Sequence, residues 1–246
     1  RFQLAAGEQY IAYYPIVDKV TASPVIPVDY TGQTQDGNGS YAHLASHDYM
    51  VSDLVTPTAT NTADFTMHHV GAILRLRITM PKADSYSSVV LSSDANSFTT
   101  KANLDLFNIN GNSLINKEAT SDKITLNLKN ASTTETDKVL TVWMMLSPAD
   151  LSNKSITVTV KSTTEGTDDV VYTFSPTKKF ESGKAYSYDI KKDGMEFVDL
   201  DLPSGNLWAT CNIGASSPEE YGDYITWGEN TLLTSDNITQ YKGYGI

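Results

Sequence analysis

FTMHHVGAILRLRITM, residues 65–80, is the stretch whose reading decides the fold. From Ala72 onward it alternates, with Ala72, Leu74, Leu76 and Ile78 on one face and Ile73, Arg75, Arg77 and Thr79 on the other. That is the period-2 pattern of a half-buried β-strand. An inner face without a polar residue, backed by an outer face with two arginines, predicts a central strand packed on a second sheet. Phe65 and Met67 occupy odd positions whereas the later apolar set is even, so the phase slips near His69, Val70 and Gly71. A bulge is expected there, and it would re-aim His69 either as a structural hydrogen-bonding group or as a ligand.

Downstream the same idiom repeats. SSVVLSSD, ANLDLFN, KITLNLKN, VLTVWMMLSP, SITVTVKST, DVVYTFSP and KAYSYDI are short, rich in Val, Ile, Thr and aromatics, and separated by turn-forming residues, which reads as an all-β sandwich. The inward sets are Ile124, Leu126 and Leu128 in one strand and Ile156, Val158 and Val160 in another; Val139 to Leu146 is apolar on both faces and should be the most deeply buried strand. Upstream, Gly7 to Val17 reads as a strand ending at Pro15, with Tyr13 and Tyr14 on opposite faces. TGQTQDGNG, residues 31–39, reads as a loop on its turn chemistry. His43 and His47 stand four apart, a spacing that could hold a metal on a helix, though a short solvent-facing turn explains them equally well. No stretch has the length, caps and 3.6 periodicity of a secure helix, and no Gly-rich phosphate loop occurs.

The 246 residues carry a net charge of −11, with 40% apolar and 19% charged residues. That composition is ordinary for a globular protein, and its acidity argues against nucleic acid or an anionic membrane surface as partner. The one cysteine, Cys211, cannot form an internal disulfide and, among apolar neighbours, reads as a buried inert thiol. No run reaches the roughly 18–20 apolar residues of a membrane helix. The chain opens on Arg1, which predicts an upstream piece carrying any secretion signal or lipid-attachment cysteine. Four histidines and 29 acidic residues come without a nucleophile elbow, zinc-protease helix or phosphate loop, so no catalytic residue, metal site or cofactor is assigned and an enzyme is not expected.

Ala12-Tyr13-Tyr14-Pro15, Gln33 to Gln35, His43-Leu44 with Asp48-Tyr49-Met50, Phe65 with His69 and Ala72 before LRLRI, and Phe180, Gly183, Lys184 and Tyr186 together resemble the fimbrillin family. These are pilus subunits and related surface proteins of Bacteroidetes, and the resemblance covers about residues 1–192. It implies two transthyretin-like β-sandwich domains, here residues 1–80 and 81–192. It also implies secretion to the outer membrane as a lipoprotein precursor, and assembly with other pilus subunits by β-strand donation. Because the family's AYYP strand lies well inside the first domain, front strands of that sandwich are expected to be missing.

Residues 193–246 change character. MEFVDLDLPSGNLWATCNIGASSPEEYGDYITWGEN, from Met195, resembles the start of the Fibrobacter major paralogous domain, which implies a truncated module or an extension of the preceding sandwich. Tyr221, Tyr224 and Trp227 lie near Glu229 and other carboxylates, the groups that stack on sugar rings and bond their hydroxyls. The alternative is that Trp208, Tyr224 and Trp227 form the core of a small module. Asp199 and Asp201 suggest a calcium loop until Pro203 takes the next ligand position. The expectation from all this is a non-catalytic cell-surface fimbrial tip or accessory subunit, able to accept a strand but hindered in donating one. The alternative is a stand-alone surface carbohydrate-binding protein.

Overall fold

The computed structural model describes residues 4–16, 25–60, 62–93, 96–106, 114–191, 197–202, 206–212 and 221. They are almost wholly β. In chain order the strands are β1 (Tyr13–Tyr14), β2 (Val25–Asp29), β3 (Thr34–Asp36), β4 (Met50–Ser52), β5 (Met67–His69), β6 (Ala72–Thr79), β7 (Ser85–Ser92), β8 (Phe98–Asp105), β9 (Leu114–Ser121), β10 (Lys123–Ser132), β11 (Val139–Leu146), β12 (Ile156–Ser162), β13 (Val170–Phe174) and β14 (Ala185–Ile190). A 3-10 helix, Ala42–Ser46, lies between β3 and β4. Chain contacts divide the molecule into residues 1–190 and residues 191–246. In the second unit β15 (Phe197–Asp199) pairs antiparallel with β16 (Leu207–Ala209).

The alternation of β6 is realised in full. Ala72, Leu74, Leu76 and Ile78 are at most 1% exposed, while Arg77 and Thr79 on the other face are open. β6 is central in a sheet of order β11-β6-β14, antiparallel to β11 and parallel to β14. The expected phase slip is a break between β5 and β6. Gly71 stands in it because a Cβ there would lie 2.7 Å from Met145 Cε and 3.3 Å from the Leu146 carbonyl oxygen.

A five-stranded sheet, β13-β12-β7-β10-β3, turns Ile124, Leu126, Leu128, Ile156, Val158 and Val160 into the same core as the buried face of β6. A third sheet, β2-β8-β9, adds Ile26, Val28 and Leu104 to it. Each fully buried side chain of this size contributes roughly 1.5–3 kcal/mol, so apposed apolar faces hold the layers together.

Three departures from the sequence reading, in β1, in β11 and in residues 31–39, have physical causes. Residues 7–17 yield only the two-residue β1, because its partner β4 is itself three residues long; Tyr13 packs on the core and Tyr14 is 41% exposed. β2 contains Pro27, which is tolerated because β2 is an edge strand. β11 is buried on both faces only from Met144 to Leu146; Val139, Thr141 and Trp143 are part-exposed because β11 also ends its sheet. Finally, residues 31–39 are not all loop: β3 runs through them, parallel to β10. In the second unit Trp208 is 54% exposed and Cys211 half-buried, so neither is core among the described residues; a two-stranded ribbon offers little apolar cover.

Candidate functional site

β3 is hydrogen-bonded to one sheet by its backbone and to another by its side chains. Its backbone pairs with β10 from Asn127↔Thr34 to Lys129↔Asp36. Gln33 and Gln35 lie two residues apart and therefore share a face, and both are 0% exposed. That face looks at the outer edge of β11. An edge strand presents unpaired N–H and C=O groups at every second residue. On β11 these belong to Val139, Thr141, Trp143 and Met145, and every one of them has a partner.

Gln33 accepts from the Met145 N–H at 2.7 Å and donates to the Met145 carbonyl at 2.8 Å. Gln35 accepts from the Trp143 N–H and donates to the Thr141 carbonyl, both at 2.9 Å. Asn38 accepts from the Thr141 N–H at 2.7 Å and donates to the Val139 carbonyl at 2.9 Å. His43 Nε2 donates to the Trp143 carbonyl at 3.0 Å, and the Val139 N–H goes to Asp137 Oδ1 at 3.1 Å. A carboxamide carries one acceptor and one donor side, as a peptide group does. Amides at the spacing of a strand therefore stand in for the neighbouring strand that β11 lacks among the described residues.

His43 pays no part in a metal site: its Nε2 proton is committed to a carbonyl and its buried Nδ1 has no hydrogen-bond partner among the described residues. Burial pushes its pKa down, a nearby His47 adds to that, and the Trp143 carbonyl opposes both. His47 holds the Asp29 carbonyl at 3.0 Å, so the two imidazoles serve separate backbone groups. His69, at the end of β5, meets Asp48 Oδ1 at 2.7 Å, and His68 Nε2 lies 3.0 Å from Asp53 Oδ1 without the alignment of a true hydrogen bond. Among the described residues no group of three or more His, Cys, Asp or Glu could hold a metal.

The outward side of β6 and β11 forms a second feature. Trp143 is fixed by its indole N–H, which donates to the Gly39 carbonyl at 3.2 Å. The Arg75 guanidinium lies 5.5 Å from the Trp143 ring centroid, and the Tyr41 ring meets Trp143 edge-on at 5.8 Å. Arg75 Nε donates to Ser187 at 3.0 Å, and Arg77 pairs with Asp189 at 3.2 Å. By contrast, a cleft of about 330 Å³ between the β6–β7 and β12–β13 turns is lined by Asp84 and Ser162, whose side chains are bonded to each other at 2.9 Å. Of the residues suggested for sugar binding, Tyr221 is 89% exposed; Tyr224, Trp227 and Glu229 lie outside the described residues.

Several residues that carry the resemblance meet in this region. Gln33, Gln35 and His43 close β11; Asp48 and His69 pair; the Gly183 N–H donates to the Gly71 carbonyl at 2.8 Å with Gly183 at φ +70, a conformation glycine adopts without strain. Phe180 and Tyr186 stack edge-to-face at 4.8 Å. A family model described as fimbrillin-like matches residues 5–203. The chain belongs to the fimbrillin-like family. Among solved structures, this fimbrillin-like chain is similar to a candidate cell adhesion protein from Bacteroides uniformis, with 20% identity and a TM-score of 0.50 over 75% of this chain and 67% of that one. It is also similar to one from Bacteroides ovatus, with 16% identity and a TM-score of 0.47 over 76% of this chain and 64% of that one. A third, from Bacteroides thetaiotaomicron, has 16% identity and a TM-score of 0.42 over 81% and 72%. The chain thus spans less than two thirds of the second of these, and at such identities the first supports the fold alone. No curated protein matches the chain. Among the described residues no helix is long and apolar enough to cross a membrane.

What sequence reading missed is the ladder and the Tyr41–Trp143–Arg75 group. The signal for the first was present, since Gln at 33 and 35 alternates with period 2 inside a turn-rich stretch.

Proposed function

We propose that this chain is a non-catalytic cell-surface fimbrial subunit, placed at the tip or as an accessory, that joins other pilus subunits by accepting a β-strand and serves adhesion. The observation that carries the reading is the asymmetry of the β11-β6-β14 sheet. The outer edge of β11 is occupied by side chains, whereas β14 has one strand neighbour, β6, among the described residues. An edge without a neighbour is a template for an incoming strand. β14 is itself followed by residues 191–246, so it is not a free terminal donor strand, which favours accepting over donating. Transthyretin-like sandwiches, lipoprotein anchoring at the outer membrane and a separate module over residues 193–246 belong to the same reading.

Mixing the purified, labelled chain with unlabelled shaft subunits and imaging the fibres tests it. Label at fibre ends is expected; incorporation along shafts would refute the tip assignment, and no incorporation would refute the fimbrial one. A second variant addresses the edge. Ile73 N–H bonds the Lys184 carbonyl at 2.9 Å in a register of Ala185↔Ile73, so the N–H groups of Ala185, Ser187 and Asp189 face away from β6. Ser187→Pro removes an outward donor without touching the β6 ladder. It should abolish incorporation while Ser187→Ala does not; equal incorporation of both would move the acceptor edge elsewhere. The second reading, sugar binding by residues 193–246, draws on the open ring of Tyr221; Trp227→Ala should then abolish binding on a glycan array with the fold retained.

A further inference from the structure

We propose that the outward face of β6 and β11 binds a saccharide bearing a single carboxylate, with Arg75 holding the carboxylate and Tyr41, braced by Trp143, stacking on the sugar. The chain has three arginines, Arg1, Arg75 and Arg77, against fifteen lysines, and its two internal ones stand side by side on this face. Lysine would serve for solubility; arginine is the residue whose planar fork matches a carboxylate. Arg77 already has Asp189 as counter-ion. Arg75 has none among the described residues: its Nε is taken by a neutral hydroxyl, Ser187, and its ring contact is with Trp143.

The aromatic partner is built rather than incidental. Trp143 is held at its backbone N–H, its carbonyl and its indole N–H by Gln35, His43 and Gly39. Against it stands Tyr41, 66% exposed, with Thr141 nearby on β11. A rigid aromatic anchor loses little freedom on binding. The amide ladder also argues against a peptide, because the β11 backbone beside this face is fully bonded and offers nothing to an added strand. The net charge of −11 argues against a polyanion, whereas a single carboxylate in contact with Arg75 is within the screening length of about 8 Å at physiological salt and senses the local charge first. The site needs no fibre and is independent of assembly.

The test is titration of the whole 246-residue chain with sialyllactose and a glucuronate-terminated trisaccharide, against lactose, a glutamate-rich peptide and heparin, followed by calorimetry. Binding of the carboxylated sugars is expected, with lactose at least about tenfold weaker. Arg75→Lys and Tyr41→Ala should each weaken binding about tenfold or more, as loss of a charged hydrogen bond or a stacking ring implies, with unchanged melting temperatures. Tyr41 is exposed, so its variant separates binding from folding. Equal binding of lactose, wild-type affinity in both variants, or equal or tighter binding of the peptide or heparin would each overturn the proposal. A chain that enters fibres but binds no carboxylated sugar would overturn this site and leave the assembly reading standing.

Discussion

β6 has one neighbour on each side, and the two end the sheet in opposite ways. On the β11 side eight antiparallel residue pairs are followed by a row of side-chain amides, buried at Gln33 and Gln35 and exposed at Asn38, so the backbone ends in bonded groups. On the β14 side six parallel pairs are followed by no further strand among the described residues, and the contacts that cross from β6 are made by exposed charged and hydroxyl groups. The first edge is bonded from inside the molecule, while the second ends in backbone groups with no strand beyond them among the described residues. A sandwich can therefore protect one edge from unwanted pairing while leaving the other open.

The largest way to break the contrast is Gln33→Leu. It leaves the Tyr30 carbonyl and both Met145 backbone groups without the partner they have now, in a place that water does not reach. At about 1–3 kcal/mol for each orphaned buried group, a loss of roughly 3 kcal/mol or more is expected in urea unfolding. A loss below about 1 kcal/mol would mean that the amide contributes no more than an ordinary hydrogen bond.

Next is Gly71→Ala, at the break where β6 starts. The new methyl would meet Met145 Cε at 2.7 Å, Tyr30 Oη at 3.1 Å and the Leu146 carbonyl at 3.3 Å, so the buried Met145 side chain would have to move and its neighbours give way. Overpacking of this kind costs about 1–3 kcal/mol, and denaturant midpoints would measure it.

Acid should act on the sealed side as well. With its folded pKa below the ordinary value of 6.5 because burial disfavours the charged ring, His43 contributes stability that is complete above about pH 6.5 and is lost as pH falls through the lower, folded value. Protonation would put a second N–H on Nδ1, which has no acceptor among the described residues. His43→Gln, which keeps a donor for the Trp143 carbonyl, should lose less stability than wild type between pH 7.5 and pH 5. An identical loss would show that His43 is solvated in the folded state.

The central strand was legible because its apolar residues keep strict period and nothing else competes for them. The family was legible because its residues are those that close turns and pair: Gly183, Asp48 and His69. The ladder was hidden for the opposite reason. Residues 31–39 are built of Gly, Asn, Asp, Gln and Thr, whose local preference is for turns, and only a neighbouring strand more than a hundred residues away gives Gln33 and Gln35 their task. β11 was misjudged on its outer face for a related reason, since apolar composition does not say which strand ends a sheet. Arg75 and Arg77 were placed on the correct face, but nothing in their spacing told which one would find a counter-ion.

The smallest effect belongs to that last pair and sharpens the comparison most. Arg77 and Asp189 join β6 to β14 at 3.2 Å with side chains 46% and 74% exposed. Water screens such a pair, and holding two long side chains in one geometry offsets much of the attraction, so Arg77→Ala should change stability by less than about 1 kcal/mol. Gln33 makes neutral contacts of similar length, yet its removal should matter several times more, because the groups it leaves behind are buried and those Arg77 leaves behind are not. If Arg77→Ala proved as damaging as Gln33→Leu, burial would not be what distinguishes the two sides of β6, and the outer edge of β14 would have to be as firmly held as that of β11.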